Sequence, residues 1–96
     1  MLENKFQSSV IKELKERFPD CLILKNDANY IQGIPDLLIL WNDKWAALEC
    51  KKSGTAHRQP NQSFYVDKME QMSFARFIFP ENRKECLDEL EQSFRS

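Results

Sequence analysis

The sequence predicts a mixed α/β domain, a central β-sheet covered by helices, on two observations. Apolar residues recur every three or four positions in three separate segments, and short apolar runs bounded by turn residues lie between them. In chain order the elements read helix, three strands, helix, strand, helix, an order that builds layers around one sheet. The 96 residues are enough for a single domain, spanning 1–96, with one modest core.

The first segment, Leu2 to Phe18, places Leu2, Phe6, Val10, Ile11, Leu14 and Phe18 on one helical face with charges between them, and Pro19-Asp20 ends it. Cys21 to Leu24 reads as a short strand, followed by a polar loop from Asn26 to Gln32 and the breakers Gly33 and Pro35. Asp36 to Trp41 and Lys44 to Lys51 read as two strands around the turn pair Asn42-Asp43. A polar, irregular stretch from Ser53 to Asn61 leads into a second helix, Gln62 to Met72, with Pro60 near its start. Ala75 to Phe79 is a strand stopped by Pro80. Arg83 to Phe94 is a third helix, with Cys86, Leu87, Leu90 and Phe94 on one face.

A composition of 42% hydrophobic and 30% charged residues is that of an ordinary folded protein and excludes wholesale disorder. The net charge of -1 gives no global basic field, which argues against a simple DNA-coating protein. A nucleic-acid partner would have to be met by local cations or a bound metal ion. The three cysteines, Cys21, Cys50 and Cys86, fit neither a disulfide framework nor a zinc pattern and read as small buried residues in a reducing cytoplasm. The longest apolar run, Leu37 to Trp41, is far too short to cross a bilayer, and the charged stretch Met1 to Gln7 does not read as a signal peptide.

The hairpin carries the chemistry. A two-residue turn at Asn42-Asp43 pairs residues whose numbers sum to 85, so Leu40 faces Trp45, Leu38 faces Ala47 and Asp36 faces Glu49. Alternation then projects Asp36, Glu49 and Lys51 from one side of the sheet. Opposed residues have Cβ atoms roughly 4.5–5.5 Å apart, a spacing at which two carboxylates repel. A divalent cation between them removes the conflict, and Lys51, two residues further on, could approach a phosphate or an attacking water. The plainer alternative is a pair of solvated charges on an exposed face. Against it, Leu38, Leu40, Ala47 and Trp45 share that face, which is too apolar to be fully wet.

Gly33-Ile34-Pro35-Asp36, twelve intervening residues, then Glu49-Cys50-Lys51 resembles the PD-(D/E)xK nuclease signature. The form GIPDLLIL, ALECKK and PNQ is most similar to the VRR-NUC branch, including small stand-alone versions from bacteriophages. It is also similar to archaeal-type Holliday junction resolvases. The likeness runs from Glu3 to about Tyr65 and implies a restriction-endonuclease-like core.

The resemblance implies roles residue by residue. Asp36 and Glu49 match metal-binding acids, the backbone carbonyl of Cys50 a third ligand, and Lys51 the catalytic lysine. Glu3 matches an acidic residue early in the first helix that binds metal directly or through water, with Glu13 ranked behind it. Gln62 matches a glutamine that positions the lysine or the substrate, with Gln59 as the competing choice. Tyr65 completes a Gln-x-x-Tyr spacing, or is a core aromatic.

The implied activity is Mg²⁺- or Mn²⁺-dependent hydrolysis of DNA phosphodiesters, on branched or duplex DNA, by a homodimer in the cytoplasm (that of a bacterial host if the chain is phage-encoded). Oxygen ligands favour these ions over zinc, and Ca²⁺ is expected to bind and inhibit. Lys25, Lys52, His57 and Arg58 are candidates for phosphate contact, or belong to an ordinary solvated surface. A lone histidine, His57, makes a Ser/His/Asp or Cys/His arrangement improbable. Asn26, Asp27 and Tyr30 precede the Gly33 turn and are candidates to border the site, without geometry at this level. Trp41 and Trp45 fall on opposite faces, one for the core and one for a second subunit. A catalytically silent nucleic-acid-binding or regulatory module on the same fold is the alternative from another class.

Overall fold

The computed structural model describes residues 2–96. The first helix, α1 (Glu3–Arg17), ends as read: the Phe18 N–H closes the last turn on the Leu14 carbonyl, and Asp20 turns the chain at φ 70°. Three antiparallel strands follow: β1 (Leu22–Lys25), β2 (Leu37–Trp41) and β3 (Lys44–Cys50). The β2–β3 register is the one the turn dictates, Leu38 opposite Ala47 and Leu40 opposite Trp45, with Asn42 at φ 56° making the turn. Asparagine adopts that left-handed conformation at little cost.

Helix α2 (Pro60–Met72) begins two residues before the expected Gln62, because Pro60 itself occupies its first position. It carries the chain over to β4 (Phe74–Ile78), which pairs with β3 in parallel, Glu49 opposite Phe77 and Cys50 opposite Ile78. A parallel partner requires such a crossover. Pro80 stops β4 as expected but also opens a short 3-10 turn, Pro80–Asn82, that leads directly into α3 (Arg83–Phe94). The sheet order is β1-β2-β3-β4, a mixed four-stranded sheet.

Helices α1 and α3 cover one face. Phe6, Val10, Leu14, Leu87 and Leu90 bury Ile39, Leu48 and Ile78 there, and Trp41 packs between Phe18 and Phe94. The helices are also tied by ions: Glu13 accepts from Arg17 at 2.8 Å and from Arg83 at 2.9 Å. The other face carries α2 alone, with Val66 over Ala47 and Ala75, and Trp45, Met69 and Phe77 around them. That cover reaches only β3 and β4. The face is part-covered, as one too apolar to be fully wet: Leu38 and Leu40 are half-buried, and their β1 neighbours Leu24 and Leu22 are 46% and 63% exposed. Cys50 and Cys86 are buried, whereas Cys21 is only partly so. Among the described residues no helix is long and apolar enough to cross a membrane.

Candidate active site

The β2–β3 ladder stops at Leu37 and Leu48, and the way it stops shapes the site. The Lys51 N–H donates to the Ile78 carbonyl at 2.9 Å, so the backbone groups of Lys51 face β4 and, by alternation, those of Cys50 face β2. Two further steps of the register would set Pro35 opposite Cys50. Proline has no N–H, so it offers the Cys50 carbonyl nothing. The Cys50 N–H donates instead to Asp36 Oδ2 at 2.9 Å, and the Asp36 N–H donates to Glu49 Oε1 at 3.2 Å. Each carboxylate is thus held by a backbone N–H across the break. Asp36 and Glu49 point to the same side.

Glu49 and Lys51 are the two buried charged residues of the described chain, 3% and 8% exposed. Lys51 Nζ lies 3.9 Å from Glu49 Oε2, and Gln62 joins the two: its Nε2 donates to Glu49 Oε2 at 3.1 Å while its Oε1 accepts from Lys51 Nζ at 2.8 Å. The same Oε1 accepts the Gln59 N–H at 3.0 Å, and the His57 carbonyl takes a second Lys51 hydrogen at 3.1 Å. The two glutamines differ in what they touch. Gln62 touches the acid and the lysine; Gln59 supports it from the start of α2.

Burial dominates the electrostatics. It pushes the Glu49 carboxyl up from 4.5 to about 8, and the Asp36 charge pushes in the same direction against the Lys51 ammonium. Asp36 is raised as well, first by desolvation, while its bond from the Cys50 N–H opposes the rise. Glu3, exposed in the first turn of α1, adds its negative charge to both. That places Glu3 beside the pair, and Glu13, committed to Arg17 and Arg83, elsewhere.

The four residues expected to contact phosphate are all exposed, but they do not form one patch. Lys25 lies at the end of β1 and shares a shallow hollow with Asn4, Lys5, Gln7 and Ser8 of α1. Lys52 and His57 follow Lys51 in the chain, and His57 contributes its carbonyl. Arg58 corrects the picture of a free loop cation: its guanidinium stacks 4.0 Å over the Phe77 ring, a cation–π contact beside the strand position opposite Glu49. Tyr65 is half-buried and meets Phe64 edge-on at 5.1 Å, as a packing aromatic does. Tyr30 is 85% exposed. Asn26, a candidate to border the site, donates its Nδ2 to the Pro35 carbonyl and its N–H to the Asp36 carbonyl, both at 2.9 Å. Its signal lies in the β1–β2 register, which no turn in the sequence fixes.

Among the described residues no three His, Cys, Asp or Glu side chains converge closely enough to hold an ion. The oxygen donors brought together are the carboxylates of Asp36 and Glu49, bound to backbone N–H groups on either side of the break, and the Cys50 carbonyl is one to which Pro35 can offer no N–H. These are hard oxygen ligands, and Mg²⁺ completes such incomplete protein sets with several waters. The donor set fits a Mg²⁺- or Mn²⁺-like ion. Compared with known proteins, the chain matches no family model and no curated protein.

Proposed function

We propose that this chain is a metal-dependent nuclease hydrolysing DNA phosphodiester bonds, with a restriction-endonuclease-like core and a preference for branched DNA. Asp36, Glu49 and the Cys50 carbonyl hold Mg²⁺ or Mn²⁺, and Glu3 contributes through water. Lys51 acts on the reacting phosphate and Gln62 positions it. The observation that carries the reading is the Gln62 amide linking a buried acid to a buried ammonium at the broken end of a ladder. A bare structural ion pair does not require the neighbouring carboxylate of Asp36, which raises the cost of charging Glu49.

The chain's residues divide the work. An ammonium has three hydrogens. Two of those on Lys51 go to Gln62 and His57, which leaves one for a phosphoryl oxygen or an attacking water. Burial keeps that contact dry and so strengthens it as charge develops in the transition state. Even with the Lys51 ammonium beside it, Glu49 holds a proton near neutral pH, one that a divalent ion would displace on binding. A bound divalent ion supplies the positive charge that polarises the phosphoryl oxygen and acidifies water. Lys25, Lys52, His57 and Arg58, exposed but not gathered in one patch, are the candidates for contact with the DNA backbone, Arg58 while stacked on Phe77.

Two copies of the chain form the working unit in this reading. Leu22, Leu24, Leu38 and Leu40 make an apolar floor that a polyanion does not cover, and Phe64 and Met72 of α2 are exposed as well. A standard interface takes about 800 Å² from each partner. That is about an eighth of the 6002 Å² surface.

The test is a panel of four-way junction, flap, nicked and linear DNAs incubated with Mg²⁺ or Mn²⁺, with and without chelator. Cleavage that chelator abolishes and Ca²⁺ does not support is expected. DNA binding without cleavage under every metal would assign the chain to a silent module instead.

A further inference from the structure

The peptide between Pro35 and Asp36 is turned over relative to the sheet. The Asn26 N–H bonds to the Asp36 carbonyl, which makes residues 26 and 36 a hydrogen-bonded pair in the β1–β2 register, next after Lys25 and Leu37 by steps of one. In such a pair the Asp36 N–H returns a bond to the Asn26 carbonyl. The preceding Pro35 carbonyl faces the opposite way, toward the Cys50 N–H of β3. Neither bond forms. The Asp36 N–H goes to the Glu49 carboxylate on the β3 side, and the Pro35 carbonyl goes to Asn26 Nδ2 on the β1 side. Both ends of one peptide unit have exchanged sides.

The exchange has a chemical result. With the Pro35 carbonyl drawn to Asn26, the Cys50 N–H has no ladder acceptor and donates to Asp36 Oδ2. With the Asp36 N–H swung to β3, Glu49 Oε1 gains a backbone donor that a regular strand would deny it. Two carboxylates that repel are thereby oriented by two N–H groups freed from the sheet. Asn26 is the side chain on the other end of the lever.

We infer that Asn26 is a positioning residue: by holding the Pro35 carbonyl it keeps the Pro35–Asp36 peptide turned, and so aims the Asp36 and Glu49 carboxylates at a shared divalent cation. An asparagine is suited to this because its amide donates to the carbonyl while its own N–H stays in the strand pairing. The inference rests on the metal-site reading for its purpose, though not for its geometry. The geometry can be tested alone.

The experiment pairs a crystal structure with Mn²⁺ titration for Asn26→Ala and Asn26→Asp. Asp has nearly the same size and no hydrogen to donate, so it serves if the Ala protein does not fold. The structure of either variant is expected to show the Pro35 carbonyl returned to the Cys50 N–H and Asp36 Oδ2 released. Mn²⁺ affinity, followed by calorimetry, is expected to fall about tenfold, the scale seen when a residue behind a metal ligand is removed. A purely structural role would lower the melting temperature and leave Mn²⁺ affinity unchanged. A variant with the peptide still turned overturns the inference whatever the protein binds, as does unchanged Mn²⁺ affinity beside a wild-type protein that binds Mn²⁺. A wild-type protein that binds no Mn²⁺ overturns both the metal-site reading and the cation-aiming role, even if the peptide turns back in the variants.

Discussion

Gln62 donates its side-chain amide to Glu49 Oε2 across 3.1 Å, from the first turn of a helix to the last turn-ward residues of a strand. Its carbonyl oxygen meanwhile takes Lys51 Nζ at 2.8 Å. Replacing it with Ala leaves the acid one donor short and the lysine with only the His57 carbonyl. We expect Gln62→Ala to lower the cleavage rate about tenfold to a hundredfold with DNA affinity nearly unchanged. Gln62→Glu is expected to be at least as slow, because it sets a third carboxylate against Glu49. Gel-based single-turnover rates check both. A Gln62→Ala protein with the wild-type rate would leave the glutamine a helix-start residue only.

The raised Glu49 carboxyl makes metal-free stability depend on pH with a defined sign. Between 4.5 and about 8 the folded protein keeps a proton that the unfolded chain has released, so stability falls as pH rises across that window. Asp36, also raised, adds to the same slope at its acid end. Metal-free melting temperatures should therefore drop from about pH 5 to about pH 8 in the wild type relative to Glu49→Gln, which has no proton to lose there. Added Mn²⁺ should raise the wild-type melting temperature more at the alkaline end, where it no longer competes with the proton. Parallel slopes in the two proteins would contradict this assignment.

Gly33 joins the loop before β2 to the start of α2. Its φ is +91°, and a Cβ placed there would lie 2.7 Å from Asn61 Cγ and 2.8 Å from the Asn61 backbone carbon. Asn61 also bonds to the Gln32 carbonyl, next to Gln62 in the chain. Gly33→Ala combines an unfavourable backbone angle with a clash and should cost about 2 kcal/mol or more. In a domain of this size that lowers the melting temperature by about 10 °C. Cleavage should fall too, because the displaced residue adjoins Gln62. Thermal melting and rate on one preparation test the pair of effects.

The open leucine face gives a prediction about assembly. Leu24→Lys places a charge in the middle of the floor that β1 and β2 expose. Sedimentation equilibrium at micromolar concentration should find a wild-type dimer and a Leu24→Lys monomer that keeps its melting temperature, since Leu24 is already 46% exposed in one chain. A monomeric wild type would remove the second subunit from the reading.

How much of this was legible depends on which constraint acts locally. The β2–β3 register follows from Asn42-Asp43 and simple alternation, so the shared side of Asp36 and Glu49 could be read directly. The strand and helix bounds slipped by one or two residues, at Cys21, Gln62 and Phe79, where the neighbouring Lys25, Pro60 and Phe74 extend or shift the element. The β1–β2 register was not legible, because the loop from Asn26 to Pro35 fixes no phase between the strands. For that reason Asn26 could be named as a neighbour of the site, but not its bond to the Pro35 carbonyl or the turned peptide. The open leucine face was missed because alternation says which side a residue faces and not how far α2 reaches across it. Arg58 read as a free cation because nothing local brings it to Phe77, which is contributed by the strand beyond α2.

Lys51 tests the chemistry most directly. Its single free hydrogen is assigned to the phosphate or the attacking water, and neither metal nor DNA affinity should depend on it strongly. Single-turnover cleavage of a junction substrate at saturating Mn²⁺ should be slower in Lys51→Ala by on the order of a hundredfold or more, with Mn²⁺ affinity close to wild type. A variant that cuts at the wild-type rate would contradict the proposed site.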